Sequence, residues 1–235
     1  MLQANLYRIE RGASFAEVEN FYDENMSLIR IKLNPAISPA ANAQKYYKDY
    51  QKAKNAEHIL TEQIEKGRSE LEYIDSVLDT VSRAESEREL AQIREELTEQ
   101  GYLRKQKGKQ RPQAALPPLE FTSSDGFKIL VGRNNTQNDK LTLKIANKND
   151  MWLHTKDIHG SHTVVFAEGR EISDTAILEA AQLAAYYSKA RESSQVPVDY
   201  TLVRYVSKPS GARPGMVIYV NNKTVYVTPK ANISK

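Results

Sequence analysis

The chain has 235 residues, with 40% hydrophobic and 27% charged, enough apolar content for one large domain or two ordinary ones. It has no cysteine, which excludes a disulfide framework, a thiolate nucleophile and a Cys-based zinc site, and no apolar run approaches the roughly 20 residues of a membrane-spanning helix. The net charge of +3 conceals an asymmetry: residues 1–100 carry 13 Lys and Arg against 19 Asp and Glu, and the remainder 20 against 11, so a polyanion is drawn to the second part.

The opening MLQANLYRIERG lacks the charged-then-apolar layout of a signal peptide and reads as a cut inside a longer protein, so a cytoplasmic location is expected. Residues 2–10 fit a short helix closed at Gly12. Ala16–Tyr22 and Ser27–Leu33 read as a hairpin turning at Asp23-Glu24-Asn25, the second strand alternating Ile29, Ile31 and Leu33 against Leu28, Arg30 and Lys32.

At Ser38-Pro39 a helix start is written twice, because Ser offers an N-cap oxygen and Pro has no N–H to lose at the first helical position. No stop follows for about 45 residues. Twelve positions spaced alternately three and four apart run from Ala43 to Val81, and only Glu57 and Gly67 depart from a coiled-coil seam. A second helix, about Ser86 to Gln100, places Leu90, Ile93 and Leu97 at the same spacing after a turn at Ser82–Glu85. It is too short to cover the whole seam, so self-association of the rod is expected.

From Gly101 the composition shifts to GYLRKQKGKQRPQAALPPLE, a basic, Pro-containing linker whose Arg104, Lys105, Lys107, Lys109 and Arg111 precede any acid. It reads either as a solvated tether or as a set of unspecific phosphate contacts. The expected division is a coiled-coil middle region with a hairpin over 1–100, a linker over 101–120 and a second domain over 121–235.

In that domain Phe127–Val131 and Leu141–Ile145 read as strands around a polar turn, Arg133 to Asp139. Short strands follow at Met151–His154 and Thr163–Phe166, then an apolar helix from about Asp174, placed to cap it, to Ala190. Strands at Tyr200–Val206, Met216–Val220 and Thr224–Thr228 complete it. Strands clustered on both sides of one helix predict an α+β domain with a mainly antiparallel sheet.

Catalytic patterns are missing: there is no GxGxxG, GxxxxGK[ST], HExxH or GxSxG, and Asp157, Ser161 and His162 lie too close in sequence to assemble a triad. No enzyme activity is expected. His154, Asp157, His159 and His162 fall within nine residues, but their spacing matches no metal motif, so neither a metal nor a cofactor is expected. The polar turn points instead to nucleic acid. Arg133 can fork onto a phosphate, Asn134, Asn135, Gln137 and Asn138 offer donors and acceptors beside Asp139, and Trp152 with His154 and His162 could stack a splayed base. The competing readings are that the Asn pair only turns a hairpin and that Trp152 is a core anchor. A second basic loop, KPSGARPG, adds Lys208 and Arg213 after Arg204.

The segments SSDGFKILVGRNNTQND, DMWLHTKDIHGSH, AAQLAAYYSKAR and KPSGARPG, with NLYRI, NPAISPAANAQKYYKDYQKAK and IREEL, resemble the C-terminal half of NFACT proteins. That family includes fibronectin-binding protein A homologues and ribosome quality-control factors. The resemblance covers essentially the whole chain, with His159 before Gly160 where the family pattern has Pro. It implies a coiled-coil middle region and a C-terminal RNA-binding domain. It also implies the large ribosomal subunit and tRNA as partners in C-terminal alanine tailing, with fibronectin as the alternative partner of an adhesin module. The family's N-terminal tRNA-recognition parts are absent from this sequence, so tailing by this chain alone is not expected.

Overall fold

The computed structural model describes residues 1–105 and 115–231. Lys107, Lys109, Arg111 and Pro112 of the basic linker lie outside the described residues. The chain forms two compact units, residues 1–68 and 69–235.

In the first unit a 3-10 turn over Leu2–Arg8 precedes the antiparallel strands β1 (Phe15–Glu19) and β2 (Leu28–Lys32). Alternation does what the sequence implies: Ala16 and Val18 point inward, joined by Leu2 and Leu33, while Ile29, Ile31 and Ala43 pack at the margin. Helix α1 (Pro39–Arg83) starts where Ser38-Pro39 predicts, with Ser38 Oγ accepting from Ala41 N at 3.2 Å. Buried Asn42 fastens that start, accepting from Asn34 N at 2.8 Å and donating to Asn34 O at 3.0 Å.

In the second unit the end of α1 packs on α2 (Glu87–Glu99), which opens with a capping box between Ser86 and Glu89. The buried face differs from the expected seam. Tyr73 and Val77 meet Ile93, while Leu71, Leu78 and Val81 of the seam face outward. The cause lies on the other side of Tyr73, where Tyr102 and Met216 close the same cluster.

The sheet of this unit is antiparallel throughout, in the order β10-β7-β5-β6-β4-β3. Its strands are β3 (Leu119–Thr122), β4 (Lys128–Val131), β5 (Met151–Thr155), β6 (Thr163–Val165), β7 (Val196–Leu202) and β10 (Lys223–Val227). A separate pair, β8 (Val206–Ser207) and β9 (Ile218–Tyr219), stands beside it. Helix α4 (Asp174–Tyr186) covers one face with Ala176, Ala180, Leu183 and Ala184 over Ile129, Leu153 and Val198. The other face carries a second core of Leu130, Leu141, Trp152, Val164, Val203 and Val206. The α+β architecture with a long helix, a hairpin and a mainly antiparallel sheet is therefore as expected.

Five local expectations are corrected. Leu141–Ile145 is not a strand: it continues helix α3 (Asn135–Lys140) as a wider π-helical turn, because Leu141 and Thr142 are drawn into the core. Arg133 to Asp139 is accordingly a helix start and not a hairpin turn. Ser173, not Asp174, caps α4, accepting from Ala176 N at 3.0 Å. The strand expected over Tyr200–Val206 lies at Val196–Leu202, followed by a 3-10 turn over Val203–Tyr205, and β3 lies partly inside the segment expected as linker.

Candidate nucleic-acid interface

The polar segment folds as a helix because its own side chains replace the backbone partners a first turn lacks. Asn134 is extended at φ −152° and its Oδ1 accepts from Gln137 N at 2.8 Å. Gln137 returns the favour, with Oε1 accepting from Arg133 N at 3.0 Å and Nε2 donating to Leu116 O at 2.6 Å. Asn138 is enclosed, its Oδ1 accepting from His162 N at 3.1 Å. A Cβ at Gly132 would lie 2.1 Å from that same oxygen, so only glycine fits there.

The outer side of α3 meets α1 and α2. Arg133 pairs with Glu89 and donates from Nε to Pro117 O at 2.9 Å. Asn134 reaches Gln92 at 3.4 Å and Asn135 donates to Ser76 Oγ at 2.9 Å. At the centre sits Glu96, 4% exposed, taking Thr136 N and Thr136 Oγ1 on one oxygen and the Tyr73 hydroxyl on the other. Burial and the Glu96 charge push the Tyr73 hydroxyl well above the usual phenol range. Burial pushes the Glu89 carboxyl up, but the Glu85 N–H and the Arg133 guanidinium outweigh it and hold the group below its ordinary value.

The KPSGARPG loop is tied to the same assembly. Lys208 pairs with Asp139, which also accepts from Gly215 N at 3.0 Å. Arg213 donates to Gln100 Oε1 at 3.1 Å and lies over the Tyr102 and Tyr73 rings, 5.3 and 5.8 Å from their centroids.

Trp152 is 1% exposed, and no described residue accepts from its Nε1. Its ring packs among Tyr219 at 4.8 Å, His162 at 5.2 Å and His154 at 5.8 Å. His162 is fixed in one tautomer. Gly215 O, 3.2 Å away, can only accept, so Nε2 carries the proton and Nδ1 accepts the Thr142 hydroxyl at 2.8 Å. Burial drives both imidazoles towards the neutral form, His162 down to about 3 and His154 down to about 4. Among the described residues no three His, Asp or Glu side chains are placed to share a metal ion.

The structure thus brings Arg133, Asn134, Asn135, Gln137, Asn138, Asp139, Lys208 and Arg213 together around α3 and sets Trp152, His154 and His162 in the core beside them. Arg204 stands apart, its Nε on Lys148 O at 3.2 Å and its Nη2 on Asn149. Sequence reading missed Tyr73, Ser76, Glu89 and Glu96, the helical half of the joint. Glu89 and Glu96 are seven apart on α2, a spacing that sets both on one face.

Residues 1–115 match the family described as NFACT N-terminal and middle domains, and residues 118–221 match the NFACT protein RNA binding domain. The Rqc2 homolog RqcH of Bacillus subtilis (strain 168) is 49% identical over 235 residues, covering 99% of this chain and 41% of that protein. The Rqc2 homolog RqcH of Streptococcus suis (strain 05ZYH33) is 42% identical over 230 residues, covering 97% and 41%. The chain therefore spans about two fifths of the length of these relatives. A solved structure of the C-terminal of the fibronectin/fibrinogen-binding protein from Streptococcus suis superposes with a TM-score of 0.76 at 44% identity, covering 81% of this chain and 77% of that one.

Proposed function

The chain belongs to the NFACT family, and we propose that it is the RNA-binding, ribosome-contacting part of a ribosome quality-control factor. The observation that carries this is the match of residues 118–221 to the NFACT protein RNA binding domain, beside relatives named Rqc2 homolog RqcH. In this reading the module, residues 121–235, meets the large ribosomal subunit and tRNA, and supports alanine tailing without performing chemistry itself. The acidic first part is a spacer that avoids RNA, and the basic second part is drawn to it.

Among the residues expected at the interface, Arg133, Arg204, Lys208 and Arg213 keep some exposure and belong to the proposal as phosphate contacts. The enclosed Asn134, Asn135, Gln137, Asn138, Trp152 and His162 serve it by shaping the surface around them. Binding of the full chain to tRNA across a salt series tests the reading, because phosphate contacts make affinity fall with salt. An affinity independent of salt would overturn it.

A second reading, a fibronectin-binding module, is favoured by one observation: the solved relative at 44% identity is named for fibronectin and fibrinogen. Its test is fibronectin capture by nuclease-treated protein, and loss of capture after nuclease removes this reading. Self-association belongs to either reading, through Ile59, Leu60 and Ile64, which are exposed on α1. Light scattering that gives a monomer mass at high concentration refutes it.

A further inference from the structure

Arg133, Lys208 and Arg213 around α3 each share their charge with an internal partner, whereas Arg204 and the residues beside it are more open. Resting on the RNA-binding reading above, we infer that an unpaired stretch of RNA binds at Lys148, Arg204 and Tyr205, with phosphates on the two cations and a base on the tyrosine ring.

The backbone joins these groups. Arg204 N and Nε both donate to Lys148 O, at 3.3 and 3.2 Å, and Nη2 holds Asn149, so the guanidinium is fixed on the loop. No described residue takes Nη1, which leaves donors of a rigid fork for a ligand. Lys148 and Arg204 are both exposed, and no described carboxylate pairs with either. Asp150 and Asp199 are turned inward. Asp150 accepts from Asn147 N at 2.7 Å and Ala167 N at 2.9 Å, and Asp199 accepts from Tyr219 and Thr224. Both are 2% exposed, so neither carboxylate reaches the outer face.

An apolar pair is joined through the backbone to the residue after Arg204. The register of β8 with β9 turns Tyr219 into the core and leaves Ile218 and Val220 outward, each 59% exposed. Val220 N donates to Tyr205 O at 3.2 Å, which seats Tyr205, 38% exposed, beside that pair. Cations beside an exposed ring and an exposed apolar pair fit a splayed base with its flanking phosphates; a duplex would engage the cations alone. Lys140 and Lys144 face Glu95 and Glu99 across a cleft, so they contribute less than Lys148 and Arg204.

The test uses the full chain and two fluorescein-labelled probes, a mixed-sequence single-stranded RNA of about 12 nucleotides and the duplex of the same sequence. K148E alone, which leaves its backbone carbonyl for Arg204, weakens single-strand binding. K148E/R204E weakens it about tenfold or more and lowers the salt slope by about 1.4, two phosphates at about 0.7 each. K189E, the same charge reversal at an exposed lysine just after α4 on the opposite face of the sheet, stays within about twofold of the unsubstituted chain. Tyr205→Ala weakens the single strand about fivefold and leaves the duplex unchanged. If the unsubstituted chain binds neither probe at low salt, the RNA-binding reading falls and this inference with it. If it binds and the substitutions at Lys148 and Arg204 behave like K189E, this inference alone falls. Equal weakening of both probes by Tyr205→Ala overturns the stacked base.

Discussion

Glu96 and Thr136 meet at the first turn of α3, where Thr136 N and Thr136 Oγ1 both donate to Glu96 Oε2 at 2.9 Å. A carboxylate of one helix thereby supplies the partner that another helix's first turn lacks. The joint this forms explains why so polar a segment is enclosed without cost: nearly every donor in it has a named acceptor.

Removing Glu96 tests how much the joint depends on that carboxylate. Glu96→Ala strands the buried Tyr73 hydroxyl, takes the acceptor from the Thr136 N–H and is expected to destabilise the unit by about 2–3 kcal/mol. Glu96→Gln keeps the acceptor and is expected to cost less than half of that. Urea unfolding followed by the fluorescence of Trp152 measures both; equal and small losses for the pair would show that the joint is held elsewhere.

Gly132 offers a sharper test of the same region. A methyl group there would sit 2.1 Å from Asn138 Oδ1, the oxygen that holds His162 N. Gly132→Ala is expected to destabilise by more than about 2 kcal/mol. The double change Gly132→Ala with Asn138→Ala relieves the clash, so its loss should be smaller than the sum of the two single losses, as a thermal-melt comparison will show.

The strands of alternating pattern, the Ser38-Pro39 start and the apolar helix after residue 173 were legible because their signals are local. LTLKI at 141–145 was not, since five residues of alternating apolar character suit a strand as well as a turn of helix, and only the burial of Leu141 and the bond from Thr142 to His162 decide between them. RNNTQND reads as a loop because Asn and Asp are weak helix formers. Its helical partners Gln92, Glu96 and Ser76 lie 40 to 59 residues away, and no short-range pattern announces them. The coiled-coil periodicity marked the long helix correctly but named the wrong face near its end, where Tyr102 and Met216 draw Tyr73 inward.

Asn42 carries a comparable load in the first unit. It closes the segment before α1 through Asn34 N, Asn34 O and Ser38 O, at 2.8, 3.0 and 3.2 Å. Asn42→Ala removes the partner of the Asn34 N–H and carbonyl and is expected to cost about 1 kcal/mol. Asn42→Asp keeps the acceptor and loses the donors, so it is expected to fall between the two. Hydrogen exchange at the Asn34 amide should rise in Asn42→Ala, and unchanged protection there would remove this account.

The last expectation concerns acid. His162 titrates at about 3 in the folded chain against an ordinary value of 6.5, because it is enclosed and lies beside His154 and Lys208. Below pH 6.5 the unfolded chain therefore takes up a proton that the folded chain refuses, and stability falls as pH falls. The slope approaches about 1.4 kcal/mol per pH unit for that one group, and His154, lowered by burial to about 4, adds a similar share over the same window. The carboxyls of Glu89 and Asp125 are held below their ordinary values, 4.5 and 3.8, so their stabilisation is lost only at still lower pH. The window from about pH 6.5 to pH 5 accordingly isolates the histidines. His162→Gln can still accept from Thr142 and donate to Gly215, and it is expected to be less sensitive to acid in that window than the unsubstituted chain. Urea midpoints at pH 7, 6 and 5 measure the difference, and parallel pH profiles for the two proteins would rule out His162 as the source.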